Sequence, residues 1–214
     1  MKREQTPFHA AIQEGNFEIV KLLLKKLTDF DMNDRISNRA LKKPLAYENT
    51  LSSISVQNYD IDMVNYFLKN TNVDVNLYSI KVFSSTSSTR LKEEITPWQF
   101  AIINEDIDMI NLLLSQTNID VNKKSVLKPS YDSNDNQSEK TPLFYAVETE
   151  NFEIVKILKS RKDIKINETC VFYNENLGYT YSEAAVLVKA VLIGNVEIFD
   201  LLLTNEDIDY NCVF

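Results

Sequence analysis

The chain has 214 residues, 44% of them apolar and 25% charged, with three glycines and five prolines. That composition excludes collagen-like and low-complexity classes and suits a folded, helix-rich protein. A formal net charge of −8 argues against a nucleic-acid binder, because phosphate contacts need clustered Lys and Arg. The longest nearly apolar run, AAVLVKAVLIG from residue 184, is too short to span a bilayer and is broken by Lys189, and no secretory h-region is visible near residue 1.

Taken in chain order, the predicted elements repeat. TPFHAAIQEGNFEIVKLLLKK begins at residue 6, and its outline returns at Thr96 and Thr141, with degenerate copies at Thr50 and Ala185. The steps are 44, 46, 45 and 44 residues, so five units form one repeat array, expected to be a single domain over residues 1–214. In each unit a short helix opens where Thr6, Thr96 or Thr141 can cap it and Pro7, Pro97 or Pro142 takes the first turn. A small residue follows five positions on: Ala11, Ser55, Ala101, Ala146 and Ala190. The second helix opens at Asn16, Asp60, Asp106, Asn151 and Asn195, with an acid two residues later that suits the positive helix end. Apolar residues then recur at helical spacing, as in Phe17, Ile19, Val20, Leu23 and Leu24, and that stripe is core.

After the second helices stand NVDVN, NIDVN, DIKIN and DIDYN, ending at Asn76, Asn122, Asn167 and Asn211. With TPFHAA and EIVKLLL, the block DVN gives the chain its resemblance to ankyrin repeat proteins. The resemblance implies a helix-turn-helix solenoid, an all-α fold with hairpin fingers, and a function in binding protein partners. The period in the forties, which by itself suggests HEAT or armadillo units, is explained by the inter-repeat segments. Between each Asn and the next unit lie 16, 19, 18 and 17 residues, whereas the family pattern implies about seven. Four long hairpin fingers are therefore expected, over 34–49, 77–95, 123–140 and 168–184. Their formal charges are +2, +1, +1 and −3. The second runs VNLYSIKVF, turns through SSTSST and returns as RLKEEI; the fourth runs CVFY, turns through NENLG and returns as YTY. That turn pairs Tyr173 with Tyr179 and Val171 with Tyr181, and sets Phe172 and Thr180 on the other face.

No catalytic constellation is expected, and the chain is read as a non-enzyme. His9, the single histidine, stands in the first unit at the family's motif position, where the resemblance implies a bond to nearby backbone, and Cys170 lies three repeats away. Cys170 and Cys212 make neither a disulfide framework nor a zinc site, so no metal or cofactor is expected and a reducing, cytoplasmic or nuclear setting is. The resemblance also raises hydroxylation of Asn76 or Asn122, against a structural use of those side chains at the finger roots.

Partner contact is expected at the exposed edge of the first helices and on the fourth finger. By register that edge holds Gln13 and Glu14, Gln57 and Asn58, Ile103 and Asn104, Glu148 and Thr149, and Leu192 and Ile193; the finger adds Phe172, Tyr173, Tyr179 and Tyr181. Neither nucleic acid nor membrane is an expected partner. The fifth unit carries Val186, Leu192, Ile198 and Phe199, side chains that a following repeat would cover, so end-to-end self-association there or membership of a longer protein is expected. Three functional readings follow: an interaction scaffold, a regulatory segment of a larger protein or enzyme, and a self-assembling array.

Overall fold

The computed structural model describes residues 6–27, 31–33, 35–37, 46–84, 90–129, 137–174 and 180–211. Each repeat contributes two antiparallel helices. These are α1 (Pro7–Gln13) and α2 (Phe17–Leu24), α3 (Leu51–Gln57) and α4 (Ile61–Asn70), α5 (Pro97–Ile103) and α6 (Ile107–Leu114), α7 (Pro142–Glu148) and α8 (Phe152–Lys159), α9 (Val186–Ile193) and α10 (Val196–Leu203). Between them run β1 (Arg35–Ser37), β2 (Ala46–Thr50), β3 (Ser79–Ser84), β4 (Arg90–Ile95), β5 (Ser125–Pro129), β6 (Ser138–Lys140), β7 (Cys170–Asn174) and β8 (Thr180–Ala184).

The helix starts follow the capping chemistry. The hydroxyls of Thr6, Thr96 and Thr141 accept from the backbone N–H three residues on, and Pro follows each. Thr50 caps α3 in the same way although Leu51 replaces the proline. At Thr6 the cap is reciprocal, since its own N–H donates to His9 Nδ1 at 3.2 Å. Asp60, Asp106, Asn151 and Asn195 cap the second helices through their side chains; Asn16 makes no such bond. Between the two helices of every repeat one residue is left-handed: Gly15, Tyr59, Glu105, Glu150 and Gly194, with φ between 56° and 74°. Glycine is the unstrained choice there, and three repeats do without it.

First helices stack on first helices along the array, and the small position is what brings them close. Ser55, Ala101 and Ala146 are fully buried. Trp98, Phe144, Met109, Ile110 and Leu113 fill the middle of the largest core cluster, and a smaller cluster of Phe8, Ile12, Val20, Ile54, Met63 and Phe67 joins the first two repeats.

The fingers contradict the all-α label, which fits the helical layer alone. Their strands form one antiparallel sheet in the order β1 to β8, so each finger pairs with its neighbour as well as within itself. Alternation in sequence shows that a segment can be a strand; it does not show which edge the strand meets. The seams between fingers differ in length. Among the described residues β2 meets β3 over three residue pairs, β4 meets β5 over four, and β6 meets β7 at the single pair Glu139 and Val171.

At the finger roots the Asn residues form a ladder from repeat to repeat. Asn76 Oδ1 accepts from the Asp120 amide at 2.8 Å while its Nδ2 donates to the Asn118 carbonyl at 2.8 Å. Asn33, Asn122 and Asn167 make the same pair of bonds to the following repeat. Two backbone groups that no helix or strand satisfies are thereby paired, and both ends of the Asn76 and Asn122 side chains already have this use.

Candidate interaction surface

The helix edge beside the fingers is built from the last position of the first helices and the cap that follows. Lys140, the last residue of β6, donates to Glu148 at 2.8 Å, which sets this edge against the root of the third finger. Glu148 is also 3.0 Å from Lys189 on α9. Lys189 Nζ lies 5.1 Å from the Phe172 ring centroid and Lys140 Nζ 5.4 Å from that of Tyr145, so both ammonium groups sit over aromatic faces. From the same finger root Lys124 reaches the fourth finger, where it lies 3.5 Å from Glu168 and donates to the Thr169 carbonyl. These charges are paired within the chain. The free surface on either side of Glu148 is apolar, with Ile103 38% and Leu192 43% exposed.

The paired positions from the sequence divide accordingly. Gln13 and Gln57 are half-buried on the same row as Ile103, Glu148 and Leu192. Glu14, Asn58, Asn104 and Thr149 are the C-caps of their helices. Asn58 donates to the Ile12 and Gln13 carbonyls and Thr149 to the Ala146 carbonyl, so these two side chains hold the fold together. Ile193 is packed on the core.

The fourth finger departs further from expectation. Tyr173 pairs with Tyr181 and Val171 with Glu183, a shift of two from the expected register, because Cys170 and Ala184 meet at the buried root and Asn174 joins the strand. Tyr179 lies outside the described residues. Phe172, expected at a contact surface, is 3% exposed and stacks against Phe144 with centroids 5.1 Å apart. Burial removes it from any contact surface.

The same neighbourhood accounts for the reactive groups. Cys170 Sγ accepts from the Thr141 amide at 3.2 Å, and burial pushes its thiol pKa up, which keeps it protonated and unreactive. The Tyr145 hydroxyl bonds Ser125 at 2.8 Å, and burial raises its pKa well above the usual phenol value. Burial also raises Tyr78, helped by Glu94; its hydroxyl donates to the Lys124 carbonyl at 2.6 Å and Lys123 lies over its ring. His9 is engaged at the first cap, so no nucleophile and base are brought together by His9 and Cys170. Among the described residues no cluster of three His, Cys, Asp or Glu could hold a metal, and no helix is long and apolar enough to cross a membrane.

Sequence reasoning did not foresee the Lys140–Glu148–Lys189 group or the cross-repeat ladder. Both join residues from different units, and only the recurrence of Asn at the finger root signals the second of them.

The family model for ankyrin repeats in three copies matches residues 52–170 and 125–213, and the single ankyrin repeat model matches 3–35. The chain belongs to the ankyrin repeat family. Among solved structures, the ankyrin repeat domain of Bcl-3, described as a member of the IkappaB protein family, superposes with a TM-score of 0.60 at 19% identity. That match covers 92% of this chain and 70% of the other. A chain from the complex of the predatory endopeptidase Bd0816 of Bdellovibrio bacteriovorus with immunity protein Bd3460 gives a TM-score of 0.57 at 16% identity, covering 94% of this chain and 81% of that one. At such identities the likeness is one of fold. No curated protein sequence matches the chain.

Proposed function

We propose that this ankyrin array is a non-catalytic scaffold that holds a protein partner between the first-helix edge and the finger sheet. The observation that carries the reading is the sheet itself: four fingers joined edge to edge make one continuous wall beside the helix row, where separate fingers would leave gaps. Ile103 and Leu192 supply exposed apolar anchors on that row, and the paired lysines around Glu148 between them fix a rigid polar centre. Ankyrin repeats generally mediate protein–protein contacts, and one of the structural neighbours comes from a complex of two proteins. The engaged states of His9 and Cys170 support the non-catalytic part, and the free buried thiol of Cys170 goes with a reducing, cytoplasmic or nuclear setting.

A photo-activated cross-linking residue placed at Ile103 or Leu192 should trap the partner, while the same residue at Asp108 or Glu153, exposed on α6 and α8, should not. Trapping from the outer helices alone would place the binding surface on the opposite side of the array.

A further inference from the structure

We propose that the two ends of the array bind each other, so that the first repeat of one copy docks on the fifth repeat of another. The argument starts from equivalent positions. Ile12, Val56, Ile102 and Val147 occupy one place on the first helix of repeats one to four and are buried. Val191 holds that place in the fifth repeat and is 57% exposed. At the other end the pattern inverts. Met63, Met109, Ile154 and Ile198 are fully buried, and Ile19, their counterpart in the first repeat, is 44% exposed. Each end thus shows one half of an interface that the chain builds four times internally.

The halves match in detail. Inside the array, Phe152 of one repeat borders a groove completed by Glu197, Leu201 and Thr204 of the next. At the ends the corresponding pieces are Val196, 69% exposed, and Glu18, Leu22 and Lys25, with Leu22 60% exposed. Val186 and Ile198, expected at the open C-terminal face, are buried by their own neighbours; Val191, Val196 and half-buried Phe199 form that face instead.

Two polar features select a second copy as the occupant. The Asn ladder always takes an amide two residues before the next Asn, at Asp74, Asp120, Lys165 and Asp209. Asn211 is exposed, and so is Asp31, which stands two residues before Asn33 in the first repeat, at the place where a preceding Asn would enter. The charges are also complementary. In the groove between repeats one and two, Leu24 and Leu27 face Tyr66, Lys69 and Asn70. At a head-to-tail junction the first side becomes Leu203 and Glu206, and the second becomes Leu22, Lys25 and Lys26. Exposed acid at Glu206 then meets exposed lysines. Because the two surfaces differ, the contact is heterologous and extends into a row.

The test uses the 214-residue chain in sedimentation over a concentration series, with Leu22→Glu blocking one end and Val191→Glu the other. Both sites are largely exposed, and circular dichroism confirms the fold of each variant; Leu22→Ser and Val191→Ser serve as milder replacements. The wild-type mass should rise with concentration, each variant alone should stay monomeric, and an equimolar mixture should form a species of two chains and stop there. A wild-type chain that stays monomeric up to its solubility limit overturns the proposal. So does one variant dimerising by itself while the mixture gains nothing, since that marks a like-on-like contact.

Discussion

The first helices of the second and third repeats occupy the same place in the array and solve it differently. In α5, Trp98 is buried against the central core and Gln99 completes a capping box with Thr96, its Nε2 also donating to the Lys123 carbonyl. In α3 the matching residues are Ser52 and Ser53, also buried, with their hydroxyls turned to Thr50 at 3.2 and 2.9 Å. Equal burial therefore hides unequal stabilisation. Removing an indole from water is worth far more than a net hydrogen bond, which contributes about 0.5–1.5 kcal/mol. The helices are interchangeable in geometry, and the repeat tolerates a weak member because both its neighbours hold it in place.

The largest expected effect breaks the strong side of the comparison. Trp98→Ala should cost about 3–5 kcal/mol, whereas Ser52→Ala should stay within about 1 kcal/mol, both read from denaturant unfolding followed by circular dichroism. In native-state hydrogen exchange, residues 51–57 should be the least protected of the inner first helices. Equal protection of α3 and α5 would show that the serine network matches the indole.

The next effect compares a rung inside the array with one at its end. Asn122→Ala should cost about 1–3 kcal/mol, because it leaves the Asp163 carbonyl and the Lys165 amide without their partner. Asn211→Ala should leave the unfolding midpoint of the dilute chain unchanged.

A third comparison uses pH. The place of Ile54 in α3 belongs to Tyr145 in α7, whose folded pKa burial raises above its ordinary value of 10. The neutral phenol is the form the fold prefers. Its contribution is therefore complete below pH 10 and is lost as pH rises toward the raised value, as the unfolded phenol ionises first. Tyr145→Phe should flatten the alkaline fall in the unfolding midpoint, and Ile54→Val should leave its pH dependence as it is.

The smallest effect should stabilise. Tyr59 follows α3 at φ 57°, and Tyr59→Gly relieves a left-handed conformation at a cost in unfolded-chain entropy, for a net gain of about 0.5–1 kcal/mol in the unfolding midpoint measurement. Glu105→Gly after α5 should gain less, because it also removes the acceptor for Asn151.

Local chemistry was legible in the sequence and non-local chemistry was not. Thr6, Thr96, Thr141 and the helix stripe act within a few residues, so spacing alone located the caps and the buried faces. The finger register slipped because it is set at the root, where Cys170 meets Ala184 in the core, and the turn residues gave the competing signal. Phe172 looked like a contact residue only because strand alternation cannot say that its face meets Phe144. At the candidate surface, the exposure of Ile103 and Leu192 follows from repeat register, while the lysine pair on Glu148 needs the stacking of one repeat on the next.

The edge-to-edge sheet also bears on mechanics. Its hydrogen bonds run across the strands and so along the stack, which makes the finger side of the solenoid resist stretching, while the helix side is held by side-chain packing and scattered side-chain bonds such as Asn151 to Glu105. Bending that opens the helix side leaves the sheet intact; bending the other way must unzip a seam. Among the described residues the β6–β7 seam has the shortest strand pairing, and side chains reinforce it: Ser138 Oγ donates to the Val171 carbonyl and the Thr141 amide to Cys170 Sγ. That reinforcement lies two repeats beyond the serine-filled helix, so the finger side and the helix side of the array place their compensating polar contacts in different repeats.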